Sequence, residues 1–306
     1  MKNSIVVLMG GLSGEREISF LSGIACANAL KKRGYKVINL DAKGFFVEKL
    51  KKIKPKIVFN ALHGQYGEDG FVQSILERIK IPYTHSGVIS SSLAMDKELS
   101  RIIFLRKKLK VPKYFIFKKE NKLYLSKKLR RKKINYPVVI KPINEGSSLG
   151  VYICNTSKQF NKYSNRLLNK YNRIIVEEYI PGREIQVAVM GCSAMGAIEL
   201  VPRRKFYDYT AKYSDDAKTK HIMPAPLPIK KYKEVLSLAE KAHRALGCKG
   251  ITRSDFRFNN NKFYLLEINT QPGMTKLSLV PEIAKFRGIE FGDLVEWIVK
   301  DASVNR

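Results

Sequence analysis

Cysteines are few in this sequence and long apolar runs are absent, and both observations exclude classes of protein. Cys26, Cys154, Cys192 and Cys248 lie far apart and form no C-x-x-C pair, so we expect free thiols in a reducing compartment. No stretch of about 18 apolar residues occurs, which predicts that the chain does not span a membrane. The apolar part of residues 1–11 is too short for a secretory signal peptide, and we therefore expect a cytoplasmic protein.

Acidic residues are also scarce, since 27 Asp and Glu face 57 Lys and Arg and give a formal net charge of +30. One interpretation is a basic face that binds nucleic acid. The other is a lysine-rich surface spread over solvated helices. Basic residues are densest at 106–110 and 127–133 but dispersed elsewhere, and no zinc-finger or RRM pattern accompanies them. We favour the dispersed surface and expect no nucleic-acid partner, with nucleic-acid binding as the alternative.

The first 80 residues alternate apolar strand patterns with helical patterns, which predicts a parallel sheet. The glycine loop at 10–14 follows the first strand but lacks the G-x-G-x-x-G spacing of a dinucleotide site. A second polar glycine loop at 63–70 follows the third strand, so both loops lie at the carboxyl edge of the sheet, where ligands bind. Glu15 could hold an ammonium group there, or it could be an acid in a helix's first turn.

A more β-rich segment follows, and it contains a strand that ends on Lys141. The Gly/Ser loop at 143–151 lacks the Walker A pattern, yet its N–H and hydroxyl groups could close over a triphosphate. The alternative is a flexible surface hairpin. Farther on, residues 205–228 are polar and without clear periodicity, and we expect a lid within them at 207–226.

The stretch from Phe263 to Leu279 carries the densest pattern of polar groups. Glu267 and Asn269 are two residues apart on a predicted strand and share one face. A hairpin turn at 259–261 would bring Asp255 beside them, and such hard oxygen ligands suit Mg²⁺. An ordinary hairpin with polar ends is the alternative. The turn at 271–275 offers backbone N–H groups before a helix start, which is a natural anion site.

Read together, these segments form an ordered series of motifs that covers nearly the whole chain. The series is GGLSGEREISFLSG, ALHGQYGEDG, IPYTHSGVISSSLAMDK, VVIKPINEGSSLGV, EEYIPGRE, FYDYTAKY, GITRSDFRF, LLEINTQPGMT and SLVPEIA. The chain thereby resembles the D-alanine–D-alanine ligases, a family of the ATP-grasp superfamily. One departure is His85, which stands where the family usually has glycine.

The resemblance implies an α/β fold with a three-domain ATP-grasp architecture. An N-terminal parallel-sheet domain, residues 1–96, would bind substrate. Two α+β domains, residues 97–178 and 179–306, would clasp ATP between them, and the last would also carry the catalytic residues. A homodimer is implied as well.

The resemblance also implies roles for individual residues. In the ATP site, Lys97, Lys141 and Lys212 would contact the phosphates. Glu177, Glu178 and Ile180 would contact adenine, and Glu184 would contact the ribose. Two Mg²⁺ ions, with Mn²⁺ as an alternative, would be held by Asp255, Glu267 and Asn269. Catalysis would use Glu15 for the ammonium of the first D-alanine, Ser147 and Tyr213 hydrogen-bonded to Glu15, and Arg253 with the N–H of Gly273 for the oxyanion. Ser278 and Leu279 would receive the carboxylate of the second D-alanine, and His63 would lie near the first.

The implied activity is ATP-dependent ligation of two D-alanines through an acyl phosphate, for peptidoglycan precursor synthesis. Because the Lys212–Tyr213 pair is intact, we expect D-alanine as the second substrate. Another ATP-grasp carboxylate–amine ligase is the alternative within enzymes.

Overall fold

The computed structural model describes residues 4–120, 129, 131–147, 149–202, 219–275 and 277–306. Across these ranges the strands form three sheets, the first parallel and the other two antiparallel. No helix within the same ranges is both long and apolar enough to cross a membrane.

The first sheet is parallel, as the alternating pattern predicts, with strand order β2-β1-β3. Its strands are β1 Ser4–Met9, β2 Lys36–Asp41 and β3 Ile57–Asn60. The helices of this part are α1 Arg16–Lys32, α2 Phe46–Ile53, α3 Phe71–Arg78, α4 Val88–Met95 and α5 Lys97–Arg106. From Ile5 to Met9 the central strand β1 is an unbroken apolar run, and side chains on both of its faces are buried.

The second sheet has strand order β4-β7-β5-β6. Its strands are β4 Tyr114–Lys118, β5 Val138–Pro142, β6 Tyr152–Cys154 and β7 Arg173–Glu178. The structure adds helix α6, Ser157–Lys170, which our strand-centred interpretation of this segment omits. Its buried positions Phe160, Ser164, Leu167 and Leu168 recur at helical spacing, but they are thinly distributed in a largely polar segment.

The third sheet has strand order β10-β9-β8-β11-β12. Its strands are β8 Arg183–Met190, β9 Ser193–Val201, β10 Lys220–Ile222, β11 Ile251–Asn259 and β12 Lys262–Asn269. The helices that accompany it are α7 Ile229–Ala245, α8 Leu279–Phe286 and α9 Phe291–Lys300. The predicted β11–β12 hairpin is confirmed, and Asn260 and Asn261 take the positive φ values that its tight turn requires.

The first and third sheets share a hydrophobic core. Ile5 and Phe59 of the first part pack in one cluster with Ile198, Ile251 and Leu294 of the last. The second sheet closes over a cluster of its own. The boundaries predicted after residues 96 and 178 stay predictions, because a shared core does not define where one domain ends.

The predicted lid falls mostly outside the described residues. Lys212 and Tyr213 belong to the segment 203–218, which is not among them. The described end of the predicted lid contains β10, which pairs with β9. Three residues are too few to show strand alternation in the sequence.

Candidate active site

The β11–β12 hairpin brings the predicted metal ligands together. Asp255 lies directly opposite Glu267, and Asn269 lies opposite Arg253. Arg253 donates from Nε and Nη2 to the two carboxylate oxygens of Asp255, at 2.8 and 3.0 Å. Glu267 Oε2 lies 3.5 Å from the Lys97 ammonium nitrogen. Both carboxylates therefore face cations across the site.

This donor set fits Mg²⁺. Two carboxylates and one amide oxygen are hard ligands, and Mg²⁺ usually takes one or two carboxylates while water and phosphate complete its shell. The described ranges contain no group of three or more His, Cys, Asp or Glu side chains arranged for a metal. Such a group would be expected of an all-protein metal cage rather than of a site that shares its ion with a phosphate ligand.

A cavity opens between the second and third sheets, and we call it the nucleotide cavity. Predicted phosphate, adenine, ribose and metal residues line it together: Lys97, Lys141, Glu177, Glu178, Ile180, Glu184, Asp255 and Glu267. Asp96 caps helix α5 by accepting from the N–H groups of Glu98 and Leu99. Lys97 is the first residue of that helix, and its ammonium donates to the carbonyl of Glu145 at 2.6 Å.

A buried chain of charges supports the nucleotide cavity. The Glu177 carboxylate lies 3.0 Å from Lys141 Nζ and pairs through its other oxygen with the fully buried Arg101. Burial alone would raise the pKa of Glu177, but the charges of Arg101 and Lys141 outweigh it and lower that pKa. Burial lowers the pKa of Lys141, while Glu177 acts in the opposite direction. Glu177 therefore stays ionised and keeps the lysine fixed in the cavity wall.

A second cavity continues from the first, and we call it the substrate cavity. Lys97, Glu145 and Glu267 line both. The predicted catalytic and substrate residues that line the substrate cavity are Glu15, His63, Ser147, Arg253 and Gly273, and the predicted metal ligand Asn269 lines it as well. The two cavities thus meet at Lys97 of helix α5 and Glu267 of β12, which form an ion pair.

Glu15 precedes helix α1 and its carboxylate is buried. Ser147 donates its hydroxyl hydrogen to this carboxylate, which is the hydrogen bond that the resemblance implies. Gly64 and Gly146 make room for the carboxylate, since a Cβ atom on either would lie 3.0 or 2.9 Å from Glu15 Oε1. Any larger residue at these positions would displace the charge.

His63 lies in the wall of the substrate cavity with both ring nitrogens engaged. Nδ1 is 3.0 Å from Glu68 Oε1, and Nε2 is 3.1 Å from the Ser22 hydroxyl. Burial alone would lower the pKa of His63, but the adjoining Glu68, with a smaller contribution from Glu15, outweighs burial and raises it. The imidazole is therefore held rigidly beside Glu15.

The turn after β12 is fastened to the first part of the chain. The Gln271 amide donates to the carbonyl of Leu62, and the N–H of Met274 donates to Ser22 Oγ at 3.2 Å. These two bonds hold the turn against the loop that carries His63 and against helix α1, which Glu15 precedes.

Beyond the turn, Ser278 immediately precedes helix α8, and the buried Leu279 is its first residue. The N–H of Thr275 donates to Ser278 Oγ at 2.9 Å. A hydroxyl and a helix N-terminus thus lie next to Gly273, in an arrangement suited to a carboxylate.

Several residues of the site went unpredicted. They are Ser22, Glu68, Arg101, Glu145, Tyr171 and Arg257. Arg101 offered a signal, because it follows Lys97 by four residues and so shares its helix face. Ser22 and Glu68 also lie within quoted motifs, but nothing in their spacing indicates that both would contact His63. Lys212 and Tyr213 lie outside the described residues, and their roles stay predictions.

Comparison with known proteins identifies the family. Family models described as "D-ala D-ala ligase N-terminus" and "D-ala D-ala ligase C-terminus" match residues 43–86 and 103–300. The D-alanine–D-alanine ligase of Pelagibacter ubique is 56% identical over 307 residues, covering 100% of both chains. That of Wolbachia pipientis wMel is 48% identical, covering 98% of this chain and 94% of the relative.

Solved structures agree with the sequence relatives. The D-alanine–D-alanine ligase from Bacillus anthracis superposes with a TM-score of 0.88 at 31% identity, covering 98% of this chain and 97% of that one. A structure of the Bacillus anthracis ligase complexed with ATP gives a TM-score of 0.86 at 27% identity, with the same coverage. The three-part architecture predicted from the motifs is confirmed, and the chain belongs to the D-alanine–D-alanine ligase family.

Proposed function

We propose that this chain joins two D-alanines into D-alanyl-D-alanine for peptidoglycan synthesis, converting ATP to ADP and phosphate. The observation that carries the proposal is the meeting of the two cavities at Lys97 and Glu267. An amino acid whose ammonium pairs with Glu15 can then direct its carboxylate towards the end of a triphosphate in the nucleotide cavity.

In the first step, a carboxylate oxygen of the first D-alanine attacks the γ-phosphorus, and ADP leaves. Phosphorylation is needed because the oxide of a free carboxylate is a poor leaving group. Lys97 and Lys141 supply positive charge to the phosphates, and Glu15 fixes the ammonium. Catalysis is then mostly positioning and charge neutralisation.

In the second step, the neutral amine of the second D-alanine attacks the acyl carbon, the C–O bond to the phosphate breaks, and phosphate leaves with the proton that the nitrogen loses. Arg253 and the N–H of Gly273 stabilise the oxyanion that develops on the acyl oxygen. Ser278 and the start of helix α8 receive the carboxylate of the second D-alanine. We expect Lys212 to contact the ATP phosphates and Tyr213 to form a hydrogen bond with Glu15.

Asp255, Glu267 and Asn269 would hold two Mg²⁺ ions, or Mn²⁺ as an alternative, where the nucleotide and substrate cavities meet. Bound there, the ions would neutralise phosphate charge. The chain's own contribution is to keep two carboxylates at the point where the cavities meet, with Arg253 and Lys97 balancing their charge.

We also propose that the protein is a cytoplasmic homodimer. Four free cysteines suit a reducing compartment. Exposed apolar side chains Leu12, Phe45, Tyr66 and Phe71 line a third, apolar cavity on the first part of the chain, which supports self-association there. Light scattering on a Phe45→Glu variant tests this, and a wild-type monomer at micromolar concentration would contradict it.

The activity is tested by measuring phosphate release and dipeptide formation from ATP with D-alanine, L-alanine, D-serine and D-lactate. We expect D-alanine to support both products and L-alanine to support no dipeptide. Phosphate release that needs a different acid or amine would favour another ATP-grasp ligase.

The metal assignment is tested by Glu267→Gln, which keeps the shape of the side chain and removes its charge. We expect most ligase activity to be lost while the fold is retained, as checked by circular dichroism. We also expect the variant to need a higher Mg²⁺ concentration for half-maximal activity. Wild-type turnover in the folded variant would rule out Glu267 as a ligand.

A further inference from the structure

Arg257 is a charged residue in the wall of the nucleotide cavity that the proposed mechanism does not use. It lies on β11 two residues beyond Asp255, and both side chains line that cavity. Its side chain is 16% exposed, so the guanidinium sits inside the site rather than on the surface.

The Arg257 guanidinium spans three acceptors on a single short segment. Nε donates to the carbonyl of Ile180 at 3.1 Å, and Nη2 donates to the carbonyl of Gly182 at 2.7 Å. Nη1 donates to Glu184 Oε2 at 3.3 Å. Two of these acceptors belong to the linker between β7 and β8, and the third, Glu184, is the second residue of β8. One planar fork of N–H groups therefore holds the linker backbone and the Glu184 carboxylate in a fixed relation, which a lysine ammonium could not do.

The sheet register sets this arrangement. Arg257 is the direct cross-strand partner of Glu184 in the β8–β11 ladder. Glu184 Oε1 also lies 3.3 Å from the Gln186 amide nitrogen. The carboxylate is thus restrained from both ends while still lining the nucleotide cavity.

We infer that Arg257 is a positioning residue that fixes Glu184 towards the sugar of the nucleotide and thereby gives the enzyme its preference for ribose over deoxyribose. The inference rests on the proposed function, because it takes Glu184 as the ribose contact. A carboxylate held in place for a sugar hydroxyl is left unpaired by an analogue that lacks the hydroxyl, so the analogue binds worse. A carboxylate that is free to turn towards water can be hydrated when the hydroxyl is missing. The analogue then binds nearly as well as ATP, and the preference disappears.

The test compares ATP with 2′-deoxy-ATP and 3′-deoxy-ATP in the D-alanine-dependent reaction. We expect wild-type kcat/KM to favour ATP over at least one analogue by about 10- to 100-fold, the range of one charge-assisted hydrogen bond. Arg257→Met should reduce that ratio to within about threefold of unity. Arg257→Lys should also lose most of it, because it keeps the charge but not the fork. Glu184→Gln should lose the ratio too, and adding Arg257→Met to it should change the ratio no further.

Arg183→Met is the matched control. Arg183 lies one residue before Glu184, but it pairs with Glu199 and the carbonyl of Pro226 and does not line the nucleotide cavity. We expect this variant to keep the wild-type ratio even if its stability falls. Binding of ADP and 2′- and 3′-deoxy-ADP by calorimetry gives the same comparison without turnover.

Three results would overturn the inference. They are a wild-type enzyme without ribose preference, an Arg257→Met variant whose KM values rise equally for all three nucleotides, and an equal loss of the ratio in Arg183→Met. Failure of the proposed function is separate, since it would appear as absence of D-alanyl-D-alanine from the wild-type enzyme with ATP.

Discussion

At the scale of single residues, the site depends on charges that are buried and individually held. Glu15 is enclosed by Gly64, Gly146 and the Ser147 hydroxyl. The partner that we propose for this carboxylate is the ammonium of the first D-alanine, because oppositely charged groups form strong hydrogen bonds.

Glu15→Gln should therefore raise KM for the first D-alanine by about 10- to 100-fold, since a hydrogen bond to a charged group contributes roughly 1.5–3 kcal/mol. The second D-alanine should be less affected. Initial rates at varied D-alanine, fitted to two sites, measure both constants. Glu17→Gln, on an exposed position of the same helix, is the control. An unchanged first KM in Glu15→Gln would show that the ammonium binds elsewhere.

His85 is the departure from the family pattern, and its buried surroundings lower the pKa of its imidazole. It has a left-handed backbone with φ of 69°, is buried, and meets Phe59 edge to face. Its Nδ1 has no hydrogen-bond partner among the described residues. Burial, followed by the charges of Arg306 and His63, lowers its pKa to about 3. The imidazole is therefore neutral when folded.

His85→Asn should reduce the loss of stability in acid. The unfolded histidine binds a proton below about pH 6.5 and the folded one only near pH 3, so stability falls as pH drops through that window. Between pH 7 and pH 5 the wild type should lose about 2 kcal/mol more than His85→Asn, as measured by urea unfolding. Asparagine tolerates positive φ. His243, whose pKa burial lowers to about 4, remains in both proteins. Equal pH dependence of the two proteins would contradict this.

At the scale of elements, the residue that follows helix α6 forms a hydrogen bond with the Gly/Ser loop of the site. Tyr171 directly follows the last residue of this helix, and its hydroxyl donates to Glu145 Oε1 at 2.7 Å. Glu145 in turn accepts from Lys97 through its carbonyl. A helix on the outside of the second sheet thereby anchors the start of the Gly/Ser loop between the two cavities.

Tyr171→Phe should loosen this anchor and raise KM for ATP by about 2- to 10-fold, the range of one hydrogen bond. Steady-state kinetics at saturating D-alanine measure it. Tyr163→Phe is the control, because Tyr163 lies on the same helix but stacks on Tyr152. A KM for ATP that is the same in Tyr171→Phe as in wild type would mean that the loop is held by its own backbone.

The sequence predicts elements better than it predicts partners. Apolar patterns predict the described strands other than β10, the turn at 259–261 predicts the β11–β12 hairpin, and side-chain alternation places Glu267 and Asn269 on one face. Periodicity fixes which way a side chain points within its own element, but it carries no information about the element opposite. The spacing of Arg101 from Lys97 indicates a shared helix face, but nothing in the sequence indicates its pairing with Glu177, 76 residues away. The same reason hid the contact of Ser22 with His63.

At the scale of the whole molecule, the chain closes on itself. Arg33 of the first part pairs with Asp293 and Glu296 on α9, and Tyr83 pairs with Ser303. Together with the shared core, these contacts make the two ends of the chain one body. The second sheet has a separate core, and the nucleotide cavity lies between this sheet and the third sheet.

This division predicts which part of the protein a core mutation destabilises. Trp297, the one tryptophan in the sequence, reports the unfolding of the core that the first and third sheets share. Trp297 packs against the shared core. Ile5→Ala, in β1 of that core, should lower the unfolding free energy reported by Trp297 fluorescence in urea by about 2–5 kcal/mol. Ile140→Ala removes the same side chain from an equally buried strand position in the second sheet. It should leave the Trp297 transition nearly unchanged while shifting the midpoint measured by circular dichroism, which also reports the second sheet. Equal shifts of the Trp297 transition in the two variants would mean that all three sheets unfold as one unit, and no shift in Ile5→Ala would mean that the two ends do not share a core.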